Sequence, residues 1–151
     1  MRMCPTMKLV RWFAPALPVV LTAATAAVAP TLAGATAPVN VDAVVINQST
    51  VDGVDYITKR ITIQPGGSTG WHYHEGRTFG VVREGTLTRT MQDCTEVIDP
   101  TGAAVTEGSG PDHAHNGRNL GPVPVVLWVD YILPAGTPTS FDVPPPAGCP
   151  N

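Results

Sequence analysis

The chain of 151 residues is poor in charged and aromatic side chains, which make up 14% and 6% of it. Nine basic residues stand against twelve acidic ones, so the formal net charge is −3 at neutral pH. This balance argues against nucleic-acid binding, because phosphate backbones attract basic surfaces. A hydrophobic fraction of 43% argues equally against a disordered acidic chain. Length and composition indicate one small globular domain.

The stretch 12–41 contains no charged residue. It follows a basic start, opens with an apolar run over 12–21 and continues into small residues, which is the order of a secretory signal peptide. The A-x-A pattern of Ala33 and Ala35 predicts cleavage after Ala35, and cleavage after Ala37 fits the same rule. We therefore expect export to an extracytoplasmic or secreted location.

The alternative to cleavage is an uncleaved membrane anchor. Pro15 and Pro18 interrupt the apolar run, whereas a spanning helix needs about 20 predominantly apolar residues. We therefore predict no stable membrane span after cleavage. The remaining domain has six basic and twelve acidic residues, a net charge of −6.

Cysteine is scarce, with three residues in the chain. Cleavage removes Cys4 and leaves the pair Cys94 and Cys149, which an oxidising compartment would join in a disulfide. A redox or metal thiolate is the alternative, but neither cysteine has another two or three residues away. The count therefore favours one structural disulfide.

Helical periodicity is also missing after residue 40, where β-branched residues dominate the apolar positions. Short apolar runs separated by turn residues predict an all-β fold, a sandwich or a barrel. The predicted strands are 41–46, 56–63, 71–74, 78–82, 86–91, 95–98, 103–106, 113–115 and 124–133. An exposed strand such as 41–46 could pair with a second copy, so a homodimer is possible.

The four histidines form two H-x-H pairs, His72 with His74 and His113 with His115. Residues two apart on a strand point to the same side of a sheet, so each pair can direct two imidazoles to one point. Two such strands facing each other would gather a transition-metal site. Histidines that merely decorate the strands are the alternative.

Two segments around these histidines resemble the motifs of the cupin family. The first runs from Gly66 to His74 and continues through Gly80 to the segment 83–87, Arg-Glu-Gly-Thr-Leu. The second is 110–119, in which a glycine–proline region precedes histidine, three residues and asparagine. With the export signal, late cysteines and proline-rich end, the whole resembles the small secreted single-domain cupins of actinobacteria.

The resemblance implies a jelly-roll β-barrel with its site in the mouth. The implied organisation is a signal peptide over 1–35, an N-terminal strand and linker over 36–53, a barrel core over 54–133 and a tail over 134–151. It also assigns His72, His74 and His115 to the family's histidine-ligand positions, and it gives Asn119 a role in orienting the loop that carries His115.

The glutamate of the family's motif does not carry over, because its position is occupied by Thr78, a poor neutral ligand. Glu75 is near in sequence but points away from the histidines by strand alternation, unless the turn at Gly76 twists the chain. His113 shares a predicted face with His115, so it could be a fourth ligand, a hydrogen-bond donor to one of the ligands or a surface residue. The sequence thus predicts a site without a carboxylate.

Three neutral imidazoles favour zinc, iron or copper over manganese, which prefers oxygen ligands. Three functions remain open: a binding module for a small molecule, a metal-dependent dioxygenase or related cupin enzyme, and a metal-free barrel. No residue pattern in the sequence identifies a particular reaction.

Overall fold

The computed structural model describes residues 34–150, and nearly all of the predicted signal peptide lies outside them. Ten strands make up this part of the chain, as the all-β prediction required. A short 3₁₀ helix, Pro111–His113, precedes β8, and no helix within 34–150 is long and apolar enough to cross a membrane. The strands are β1 Val39–Val51, β2 Val54–Ser68, β3 His72–Tyr73, β4 Arg77–Glu84, β5 Thr86–Met91, β6 Glu96–Pro100, β7 Ala104–Glu107, β8 His115–Arg118, β9 Val125–Pro134 and β10 Phe141–Asp142.

The strands form two antiparallel groups joined at the end of β2. One group has the order β1-β2-β9-β4-β7, and the other has the order β6-β5-β8-β3-β10. They are linked where Ser68 of β2 pairs with Arg118 of β8. This is a nearly closed jelly-roll barrel, as the resemblance to the cupins implied.

The β1–β2 hairpin is longer than the two short strands predicted from the sequence. Its turn is Asp52-Gly53, with φ angles of 50° and 77°. A two-residue type I′ hairpin turn requires positive φ at both of these positions. Val44, Val45 and Ile46 are exposed on β1, which is paired only with β2 within the described residues. The homodimer expected through this edge stays a prediction.

The hydrophobic core lies between the two groups of strands. It follows from strand alternation, most clearly in β9, where every second side chain is buried from Val125 to Leu133. The β9 members of this cluster are Val125, Leu127, Val129, Tyr131 and Leu133, and the other buried members come from four strands: Ile57, Ile63, Val82, Leu87 and Val105.

The C-terminal tail is attached to the barrel at several points. Cys94 and Cys149 form the predicted disulfide, with Cα atoms 5.1 Å apart. β10 pairs with β3, and the buried indole of Trp71 donates a hydrogen bond to the Pro150 carbonyl oxygen at 3.1 Å. These contacts fix the tail beside the segment 72–74, which carries the first histidine pair.

Candidate metal centre

Three of the four histidines converge inside the barrel. His72 on β3 lies opposite His115 on β8, and His74 follows two residues after His72 on the same side. One ring nitrogen from each lies within 4.8 Å of those from the other two. The structure therefore brings together the three histidines that the sequence singled out.

Each of these imidazoles is held by a backbone carbonyl at its Nδ1 atom. The Nδ1–oxygen distances are 2.9 Å from His72 to Gly70, 2.6 Å from His74 to Thr139 and 2.9 Å from His115 to His113. Because a carbonyl oxygen only accepts, Nδ1 carries the hydrogen in each ring. A neutral ring then has its lone pair on Nε2, which is the arrangement that metal-binding histidines adopt.

A carboxylate that the sequence analysis missed faces two of these rings. Oε2 of Glu107 lies 2.9 Å from Nε2 of His74, and Oε1 lies 3.1 Å from Nε2 of His115. Although these distances are short, the directions are not those of hydrogen bonds, and both ring nitrogens are left without a hydrogen-bond partner. The site contains three imidazoles and one largely buried carboxylate.

The prediction of a site without a carboxylate is therefore wrong, and strand pairing gives the reason. Thr78 on β4 does occupy the glutamate's position and is buried, but its Oγ1 has no hydrogen-bond partner. Glu107 on β7 is its direct partner in the register. Paired residues on adjacent strands point to the same face, so the carboxylate enters from one strand further along.

The sequence contained a signal for Glu107. Val105 and Glu107 are two residues apart, so an inward Val105 places Glu107 on the inner face as well. An acidic residue at a core-facing position is costly unless it is paired or binds a cation. Asp99 is another buried acid, but it binds Arg89, with Nε and Oδ2 2.7 Å apart.

Two other candidates lie away from the centre. Glu75 is exposed, consistent with the outward direction expected from alternation. His113 belongs to the 3₁₀ helix instead of the predicted strand 113–115, so it shares no strand face with His115. Its exposed ring packs beside Gly108, and neither side chain joins the histidine cluster found in the described residues.

The electrostatics of the site follow from burial and mutual proximity. Burial, aided by repulsion from His115 and His74, lowers the pKa of His72 to about 3, so this ring is neutral at physiological pH. Burial alone would raise the pKa of Glu107, but His115 and His74 hold that pKa well below its usual range. Burial alone would lower the pKa of His115, but the Glu107 carboxylate outweighs burial and raises that pKa.

These residues fit a divalent transition metal. Two buried ring nitrogens lack hydrogen-bond partners, while an ionised carboxylate lies about 3 Å from both. Acceptor atoms this close to one another repel unless a proton or a cation lies among them. Imidazole and carboxylate are the donors that such metals take in proteins.

Two cavities meet at His72 and His74. The inner one, about 40 Å³, is bordered by all three histidines, Glu107 and Arg89. The outer one, about 110 Å³, is bordered by β1 and by Lys59. A wider surface depression of about 520 Å³ beside His113 includes none of the converging histidines, so its size does not make it the site.

Asn119 ties together the chain that follows β8. Its Nδ2 donates hydrogen bonds to the carbonyl oxygens of Ile63, at 2.9 Å, and Val123, at 2.8 Å. Its Oδ1 accepts a hydrogen bond from the Gly121 amide at 3.0 Å. These bonds join β2 to the segment between β8 and β9, and the role of Asn119 in orienting the loop that carries His115 stays a prediction.

A jelly-roll barrel with a buried histidine cluster and an adjoining cavity defines a small barrel of the double-stranded β-helix type. The family described as "Cupin domain" matches residues 59–131, and the chain belongs to the cupin superfamily. No curated protein sequence is significantly similar to it.

Several solved structures share the fold. A Cupin 2 conserved barrel domain protein from Salinispora arenicola is 16% identical with a TM-score of 0.53, covering 64% of this chain and 77% of that one. The polyketide cyclase RemF from Streptomyces resistomycificus is 18% identical with a TM-score of 0.51, covering 69% and 80%. Oxalate oxidase in complex with the substrate analogue glycolate is 18% identical with a TM-score of 0.52, covering 69% and 55%. At these identities the likeness concerns the fold.

Proposed function

We propose that the protein binds a divalent transition metal through His72, His74 and His115, with Glu107 as an additional ligand, and holds a small molecule beside it. The observation that carries this proposal is the set of three carbonyl-anchored imidazoles directed at one point. Three nitrogen donors favour zinc, iron or copper, and the Glu107 carboxylate makes the site less unfavourable to manganese than three imidazoles alone.

The protonation and pairing of the other residues around the cavities favour a binding module over an enzyme. The pKa of Tyr131 is raised by burial and by the charge of Glu107, so its hydroxyl keeps its proton at neutral pH. Arg89 is engaged by Asp99. Lys59 lines the outer cavity, and burial lowers its pKa. Apart from Lys59 and the four proposed ligands, the described lining residues include no evident general base.

The second candidate is a metal-dependent dioxygenase or related enzyme. It is favoured by the adjoining outer cavity, which gives a small organic substrate access to His72 and His74. The metal would supply Lewis-acid or redox chemistry when bound. The third candidate is a metal-free barrel.

Metal analysis of the gently purified protein tests the proposal. We expect about one transition-metal ion per chain, and less than about a tenth of an ion would favour the metal-free barrel. Oxygen uptake and product formation with small diketones, flavonols and thiols then separate the other two candidates. Binding without turnover supports the module, whereas turnover of any of these compounds would identify an enzyme.

We further propose that the protein is exported, as the small cupins of actinobacteria that it resembles are, and is cleaved after Ala35. The Cys94–Cys149 disulfide supports an oxidising compartment. Thr36 also belongs to the barrel, since its Oγ1 accepts a hydrogen bond from the Trp71 amide at 2.6 Å and its own amide donates to Val143. Cleavage after Ala37 would remove both contacts.

N-terminal sequencing of the mature protein is the measurement that checks this proposal. The expected first residue is Thr36, and recovery of the intact chain with the membrane fraction would contradict both export and cleavage.

A further inference from the structure

Lys59 stands out among the inward-facing residues of β2. Strand alternation places it on the same face as Ile57, Ile61 and Ile63, which pack in or against the core. Lysine is rarely placed inside a barrel, because burying its ammonium group costs free energy unless that group is paired. It is also the single lysine of residues 34–150, so this position is not one of several interchangeable surface charges.

The ammonium group of Lys59 has no carboxylate partner among the described residues. The carboxylates near other groups are Glu107, which faces His74 and His115, Asp99, which pairs with Arg89, and Glu96, which pairs with Arg118. Nζ of Lys59 donates a hydrogen bond to Oγ1 of Thr139 at 2.7 Å and lies 5.7 Å from the centre of the Tyr131 ring. Both contacts are neutral, so its charge is uncompensated.

One residue connects this charge to the metal centre. Thr139 accepts the Lys59 hydrogen bond through its side chain, and its carbonyl oxygen lies 2.6 Å from Nδ1 of His74. Lys59 and His74 also line the same outer cavity of about 110 Å³. Thr139 therefore connects the ammonium group of Lys59 to His74, a proposed metal ligand.

We propose that Lys59 forms an anion subsite in the outer cavity, which selects a small carboxylate as the molecule held beside the metal. This inference rests on the proposed metal function. A divalent ion with one Glu107 carboxylate carries a net positive charge, Arg89 and Asp99 cancel each other, and Lys59 adds another positive charge. An anion that enters the outer cavity compensates the positive charge of the metal and that of Lys59.

The cavity limits the size of this anion. The outer cavity has a volume of about 110 Å³ and lies beside both Lys59 and His74. It accommodates an acid of a few carbon atoms. Malonate is a suitable probe, and malonamide is its uncharged counterpart of nearly the same shape.

The test is calorimetric titration of malonate into the zinc-loaded protein, after free zinc has been removed and bound zinc measured. We expect the Lys59→Met variant to bind malonate at least roughly tenfold more weakly than the wild type, with unchanged zinc content. The matched control is Arg60→Met, which removes the same charge from the exposed neighbouring position and should change the malonate Kd by less than about twofold. Malonamide should not bind measurably.

A second measurement does not depend on the folding of a variant. Because Lys59 is the single lysine of 34–150, its acetylation can be followed by mass spectrometry, and saturating malonate should slow it in the zinc-loaded wild type. Equal malonate affinity in Lys59→Met and wild type, absence of malonate binding, or equal binding of malonamide would each overturn the subsite. Absence of zinc from the wild type would overturn the metal site itself, and the zinc measurement alone reveals that failure.

Discussion

Replacement of His74 by alanine is expected to reduce bound metal from about one ion per chain to less than about a tenth. His74 supplies one of the three ring nitrogens at the centre, and its ring is anchored at Nδ1 by Thr139 and faces Glu107 at Nε2. Alanine removes the donor and leaves two imidazoles, too few to retain the ion through purification. Elemental analysis of the purified variant measures the effect.

The control for His74→Ala is His113→Ala. His113 is exposed, and its ring lies outside the histidine cluster, while its backbone carbonyl, which contacts the His115 ring, is kept by the substitution. This variant should retain the wild-type metal content. Equal metal in His74→Ala and the wild type, with native circular dichroism in both, would remove this centre from consideration.

Replacement of Glu107 by glutamine is expected to weaken metal affinity by roughly 10- to 100-fold. The amide keeps the size of the carboxylate but removes its charge, and a buried anion about 3 Å from two ring nitrogens is well placed to compensate a divalent cation. Competition against a chromophoric chelator gives the Kd.

Two further variants make the Glu107 test specific to position. Glu75→Gln removes an exposed carboxylate close in sequence to the histidines and should leave the Kd unchanged within about twofold. Combining Glu107→Thr with Thr78→Glu moves the carboxylate to the paired position on β4 and should recover part of the lost affinity. An unaltered Kd in Glu107→Gln would show that the three imidazoles suffice.

Much of the fold could be predicted because its physical cause is local. Alternating apolar residues and glycine-rich turns indicated strands near their observed positions, and the parity of His72 and His74 placed both imidazoles on one side. The hairpin turn has a local cause as well, because Asp52-Gly53 is a strong sequence signal for a hairpin. This turn joins two strands that the apolar pattern alone predicted as separate.

The missed residues show where local reasoning ends. Lys59 and Glu107 could each be assigned to an inner face by counting from a neighbouring apolar residue, but alternation does not say which inward residues meet. His113 was misplaced for another reason. The 3₁₀ helix over Pro111–His113 interrupts the strand, so that parity with His115 no longer applies.

The sequence by itself determined that this protein is an all-β domain with two histidine pairs and two late cysteines, because period-two patterns and residue identities are properties of short segments. Only the tertiary structure decided which groups surround the centre. It paired β4 with β7 so that Glu107 supplies the carboxylate absent at Thr78, and it brought Thr139 between Lys59 and His74. These neighbours come from distant parts of the chain, and their proximity depends on strand pairing and barrel closure, which no single segment contains.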